Sequence, residues 1–200
     1  MVANINFEYA DGATPLDPDE VEGLIPQHMT IQAQLNEWEQ DNILQAEQWL
    51  ISRIIRLELL LTEKFMKTLH KKMFSDTWKW AGQFRKSNKN IGVEWQQIPT
   101  QLKLLLDDVR FQIKHESFEL DEIAARFHHR FVAIHPFVNG NGRHSRLATD
   151  MLLIKVLALP RFSWGRESLV NASQTRELYI ASLRSADKGD YAQLLGFIRS

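Results

Sequence analysis

Apolar side chains recur every three or four residues along most of this chain, and that period commits it to packed helices before any other feature is weighed. Ile43, Ala46, Leu50, Ile54, Leu57, Leu61, Phe65, Leu69 and Met73 form one such stripe, which predicts a single long amphipathic helix over residues 42–73. Leu102, Leu105, Leu106, Val109 and Ile113 mark a second helix. Ile123, Ala124, Phe127, Phe131 and Ile134 mark a third, with Asp121 as its cap. Leu147, Met151 and Ile154 continue as helix, another passes through Tyr179 and Leu183 to stop near Gly189, and Asp190 caps a last one holding Leu194, Leu195 and Ile198. The period changes only between Trp78 and Trp95. Two short runs around the polar residues 86–90 read there as a small β-hairpin on a helical body. The fold class is therefore all-α.

Length and charge narrow the function. With 200 residues, one domain accounts for the chain. Lysines and arginines number 24 against 25 acids, and a net charge of −1 gives no electrostatic basis for direct nucleic-acid or membrane binding. The chain has no cysteine, which removes thiolate metal sites and favours a reducing compartment. Its first residues lack a basic, then apolar, leader, and the most apolar runs (57–61 and 151–159) are too short to span a bilayer. The expectation is a soluble cytoplasmic protein. Gly12, Pro15, Pro18, Gly23 and Pro26 make the start an irregular arm, so the division expected is residues 1–41 as arm and 42–200 as domain.

Chemistry concentrates in residues 135–146, His135-Pro136-Phe137-Val138-Asn139-Gly140-Asn141-Gly142-Arg143-His144-Ser145-Arg146, which separate two helices. Gly140 and Gly142 let the main chain turn tightly and approach a ligand, while the helix starting there points unpaired N–H groups and its positive dipole end into the turn. Arg143 and Arg146 lie three apart, so both guanidinium groups can converge on one polyphosphate, and Asn141 adds a neutral donor. A neutral His135 at the other lip can take a proton from an attacking hydroxyl. Gly-Asn-Gly by itself is more often a helix cap, and two arginines on a helix are usually a solvated face; it is the combination that points to a polyphosphate ligand. A P-loop is excluded because no Lys-Ser/Thr follows the glycines, and a dinucleotide fold because no parallel-strand unit precedes them. His128 and His135 share a stripe but lack a carboxylate at ligand spacing, which argues against a metal–histidine site.

This segment resembles the Fic family motif, His-Pro-Phe-x-acid-Gly-Asn-Gly-Arg-x-x-Arg, at eight fixed positions. The run from Trp78 through Gly82 to Arg85, with Ile91-Gly92, resembles the entry to that family's flap, and residues 186–190 resemble a common ending. Residues 14–18 and 35–40 are similar to the Fic subfamily called mobile mystery protein B. The resemblance implies a Fic-type helical bundle with a β-hairpin flap, acting as a protein adenylyltransferase that moves AMP from ATP to a Ser, Thr or Tyr hydroxyl of a target protein, or of itself. It implies His135 as general base and Asn141 and Arg143 as catalytic. Asn139, Gly140, Asn141, Gly142, Arg143 and Arg146 would hold the ATP phosphates, and Phe137 would be a core anchor. Lys86, Asn90, Ile91, Gly92 and Val93 in the flap would dock the target by strand addition. It also implies Mg2+, a helix-turn-helix partner in a toxin–antitoxin pair, and self-association.

Two departures bear on activity. The family's acid is Asn139 here, and an amide oxygen is a weaker ligand for Mg2+. Inhibited members carry Ser/Thr-x-x-x-Glu, whose Glu blocks the second arginine; here Thr30 and Gln34 occupy that frame, so inhibition through Arg146 is expected to be weak. A Fic/Doc-like phosphotransferase and a catalytically weak binding module are the competing readings.

Overall fold

The structure is a computed structural model that describes residues 16–26, 32–166 and 172–200. The stripe over residues 42–73 does not run as one helix. α1 (Pro18–Val21) belongs to the arm; α2 (Gln32–Ile51) then ends, α3 (Leu57–Leu60) makes one turn, and α4 (Glu63–Phe74) returns antiparallel along α2. Trp38 on α2 donates to Asp76 O, and Trp49 lies under Lys72. The break falls where Ile54 stands 89% exposed, and Thr62 restarts the helix by accepting from Phe65 N–H. A straight rod would have offered its stripe to one partner; folded back, α2 and α4 bury theirs against each other and the rest of the core.

α5 (Ile98–Lys114) packs on α6 (Leu120–Ile134), and α6 packs on α7 (Asn141–Leu152), which a π-helical turn (Leu153–Leu157) prolongs. Glu119, not Asp121, occupies the α6 cap position; Asp121 lies in the first turn and pairs with Arg199 at 2.5 Å, fastening the C-terminus. α8 (Ala172–Ala186) and α9 (Ala192–Ile198) close the bundle; Tyr191, not Asp190, occupies the α9 cap position, and Asp190 just before it accepts from Ala192 N–H at 3.0 Å. α6 is shared between two apolar clusters. Its Ile123, Phe127 and Phe131 enter the main core, while Ala124 and Ala125 face a second one built on Leu153, Phe162, Leu194 and Ile198. Burying each phenylalanine contributes about 2–3 kcal/mol, so the C-terminal end of α6, where His135 sits, is held from both sides.

The hairpin forms no ladder. Among the described residues the β pairing consists of two isolated antiparallel bridges, Leu24 with Trp78 and Phe84 with Phe137. Side chains close the flap loop instead: Asn88 Oδ1 accepts from Trp95 N–H at 3.0 Å, and Asn88 Nδ2 donates to Glu94 at 2.5 Å. A two-stranded ribbon rich in charged and amide residues has little apolar surface to stabilise a ladder. The arm lies along the flap entrance, with Ile25 N–H on Thr77 O, Lys79 N–H on Gly23 O and Trp80 Nε1 on Glu20 O. No helix among the described residues is long and apolar enough to cross a membrane.

Candidate active site

The chain leaves α6 at His135, turns through residues 136–140 and enters α7. His135 is the α6 C-cap and adopts the left-handed conformation (φ 53°, ψ 60°). Gly140 caps α7, also left-handed (φ 75°), and a Cβ there would lie 2.5 Å from the Phe74 ring, so this glycine is required by conformation and by space. Gly142 has ordinary helical conformation and nothing within 4 Å of a Cβ, so the turn does not need it.

Asn141 has a structural task beside the expected one. Its Oδ1 accepts from Phe137 N–H at 2.9 Å and its Nδ2 donates one hydrogen to Phe137 O at 2.8 Å, so the buried amide braces the loop. Phe137 is fully buried, the anchor expected of it, stacked 3.8 Å from His70. His70 is a site residue that sequence reasoning missed. Gly82 N–H donates to its Nδ1 at 2.9 Å, which leaves Nε2–H to donate to Asn139 O at 3.0 Å. Burial holds this imidazole well below its ordinary pKa, hence neutral, and it links α4 to both loop and flap.

Asn139 offers little to a metal. Its Oδ1 receives Gly140 N–H at 2.5 Å, and no group of three or more His, Cys, Asp or Glu side chains among the described residues could hold an ion. Mg2+ favours one or two carboxylates together with phosphate oxygens, so this donor set does not fit a magnesium site supplied by the chain.

His135 is 6% exposed. Burial first, then the positive Arg85 and Lys89, push its pKa down to about 4, so it is unprotonated at neutral pH, as a proton acceptor must be. Arg143 and Arg146 leave the first turns of α7, as the spacing predicted, but their surroundings differ. Arg146 lies 5.8 Å above the Tyr179 ring, whose hydroxyl meets His128 Nε2 at 2.9 Å. Arg143 sits over Phe74 and forms a 2.5 Å ion pair with Glu39 of α2. Glu39 is 5% exposed, and its other oxygen accepts from Trp78 Nε1 at 2.6 Å.

Of the two residues expected to regulate, Thr30 lies outside the described residues and Gln34 is exposed at the start of α2. Glu39 of the same helix reaches the motif, and it takes the first arginine. No residue pattern around Glu39 announced this, because the pair joins positions 104 residues apart.

The flap straddles His135. Arg85 N–H donates to Pro136 O on one limb, and Val93 N–H donates to Ile134 O on the other. Lys86, Asn90, Ile91 and Gly92 are exposed along it and Val93 is half-buried, whereas the Lys89 side chain is 3% exposed, clamped between Asp17 (2.7 Å) and Glu20 (2.5 Å) of the arm.

A buried, unprotonated histidine thus lies across the turn from a helix start that bears two arginines, on an all-α frame. Residues 60–153 match the Fic/DOC family. The relatives include the protein adenylyltransferase Fic of Drosophila grimshawi and that of Drosophila sechellia, 31% and 32% identical over 121 residues. The match covers 59% of this chain and 23% of each relative, so the chain spans under a quarter of their length. Among solved structures, Fic-1 from C. elegans superposes with TM-score 0.67 at 22% identity, covering 88% of this chain and 50% of that one. The BepC protein of Bartonella tribocorum, solved with bound AMPPNP, gives TM-score 0.65 at 15% identity, covering 87% and 89%. These superpositions establish the fold.

Proposed function

We propose that the chain is a protein adenylyltransferase that uses ATP to modify a hydroxyl side chain of a protein. The observation that carries this is a buried, neutral His135 held beside an α7 start that bears Arg143 and Arg146. The target oxygen attacks the α-phosphorus of ATP, its proton passes to the His135 imidazole, and the bond to the departing pyrophosphate breaks. The N–H groups at the start of α7 and the two guanidinium groups take up the negative charge, so that positioning and electrostatics do most of the work. The flap, open along Lys86 and residues 90–92, would receive the target segment. The adenylyltransferase names of the relatives and the AMPPNP in the BepC structure support the choice of nucleotide.

Glu39 adds regulation to this reading. Its carboxylate occupies Arg143, which a phosphate would otherwise take, so the resting site is self-blocked until a polyphosphate outcompetes one ion pair. Family resemblance extends the reading to Mg2+ as the counter-ion of ATP, a helix-turn-helix partner, self-association and a cytoplasmic location. Intact-mass measurement of the chain and of candidate targets after incubation with ATP tests the core of it. Addition of one adenylyl group supports the proposal, addition of phosphate alone moves it to a phosphotransferase, and no adduct with undiminished target capture moves it to a binding module.

A further inference from the structure

Arg85 is buried more deeply than any other arginine or lysine among the described residues, at 1% exposure, and its hydrogen bonds all go to main-chain carbonyls. Nε donates to His135 O at 2.7 Å and Nη1 to Ser87 O at 2.8 Å, while Nη2 reaches Val93 O and, at 3.4 Å, Ile134 O. Burying a cation away from water is costly unless its donors are satisfied, and here one planar fork satisfies them on three separate backbone segments. Those segments are the two flap limbs and the end of α6. The residue so gripped, His135, has positive φ, a conformation that a side chain with a Cβ resists and that persists only where its surroundings impose it. Gly92 closes the arrangement: a Cβ there would stand 2.7 Å from Arg85 Nη2 and 2.8 Å from His135 Cβ.

We infer that Arg85 is the positioning residue of this site, holding His135 in its left-handed conformation and fixing both flap limbs to it as one unit. A target segment docked on the flap then arrives in register with the base. The inference deepens the adenylyltransferase reading and rests on it.

The test uses the full chain carrying Arg85→Lys or Arg85→Met. Arg85→Lys keeps the charge and loses the fork. It should leave ATP affinity by calorimetry within about twofold, yet lower kcat for AMP transfer about 10²-fold, the scale of a misplacement near 1 Å. NMR of the His135 ring separates geometry from charge. Around that ring lie the cations Arg85 and Lys89, with Asp17 and Glu20 on Lys89 and with Glu20 and Glu94 acting on Arg85. In Arg85→Met the His135 titration should move upward; in Arg85→Lys it should stay near wild type while the rate falls. An unchanged kcat in folded Arg85→Lys overturns the inference. If the wild-type chain transfers no AMP, the function reading fails, and Arg85 is then judged by the backbone shifts of residue 135, whose persistence in Arg85→Lys overturns it. Should both Arg85 variants fail to fold, Gly92→Ala wedges a methyl into the same contact. A kcat loss at constant ATP affinity then supports the inference, and an unchanged kcat overturns it.

Discussion

The turn between α6 and α7 and the side of α2 that faces it meet at the same arginine, yet they are built from different interactions. The turn is braced locally: Asn141 bonds Phe137 four residues away, and Gly140 is fixed by its own φ and by Phe74. α2 reaches in with one ion pair whose arginine side chain keeps 32% of its surface exposed. Local, buried bracing yields a cradle that does not depend on what occupies it. Glu39 is buried and stays on Trp78, but the Arg143 end of the pair is open to solvent, so another anion can reach that guanidinium and compete for it. The cradle is thus the fixed half of the site and α2 the adjustable half.

Removing the base should have the largest effect. His135→Ala lowers AMP transfer by about 10²–10⁴-fold, the usual contribution of a general base, in a protein whose unfolding temperature is not reduced. Equal transfer rates would dismiss the assignment. Next, Arg143→Ala removes a charge-assisted phosphate contact of about 1.5–3 kcal/mol, so ATP affinity should weaken roughly tenfold or more in calorimetry. Glu39→Gln acts on the adjustable half. It keeps an acceptor for Trp78 and loses the charge on Arg143, and AMP incorporation should rise about tenfold. Gln34→Glu, by contrast, should leave the rate unaltered, because that side chain lies exposed at the start of α2; inhibition by Gln34→Glu would return the regulatory role to that position.

Acid should then weaken the fixed half. Burial holds His135 at about 4, His128 and His144 at about 3, and His70 well below its ordinary value. Because these values are lowered on folding, the unfolded chain binds more protons below about pH 6.5. Stability is complete above that pH and declines as pH falls towards the folded values, by up to about 1.4 kcal/mol per unit per imidazole. Asp150, raised to about 6 by burial, has the opposite sign and regains a smaller share as it protonates. Denaturation midpoints that stay level from neutral pH to about pH 5 would contradict this. The smallest change expected is from Asn139→Asp, a few-fold gain in AMP transfer that requires added Mg2+; a gain without the ion would point to charge alone.

The helical class, the position of the turn and the spacing of Arg143 and Arg146 were legible because each is encoded within a few residues. Periodicity shows an apolar face, but it does not show a chain reversal that preserves that face, and so α2 and α4 read as one helix. The bracing task of Asn141 was not legible, because its residue type suits a ligand donor and a loop brace equally and only the Phe137 contact reveals the brace. Arg85 stood inside a recognisable string without a visible role, since its partners are carbonyl oxygens, which every residue has. Glu39 and His70 act across 104 and 69 residues, distances at which single residues carry no pattern.

The left-handed backbone at His135 also reverses an ordinary expectation about inactivating substitutions. A helix ending in this conformation is most stable with glycine at that position, and any other side chain there costs about 1 kcal/mol. Catalysis thus occupies a position that folding would give to a different residue. His135→Gly should accordingly melt higher than wild type while losing transfer, whereas His135→Ala, which removes the ring but keeps the Cβ, should gain less. A collection of variants selected only for thermal resistance would then be drawn towards this inactive glycine, a trade of activity for stability written into a single φ angle.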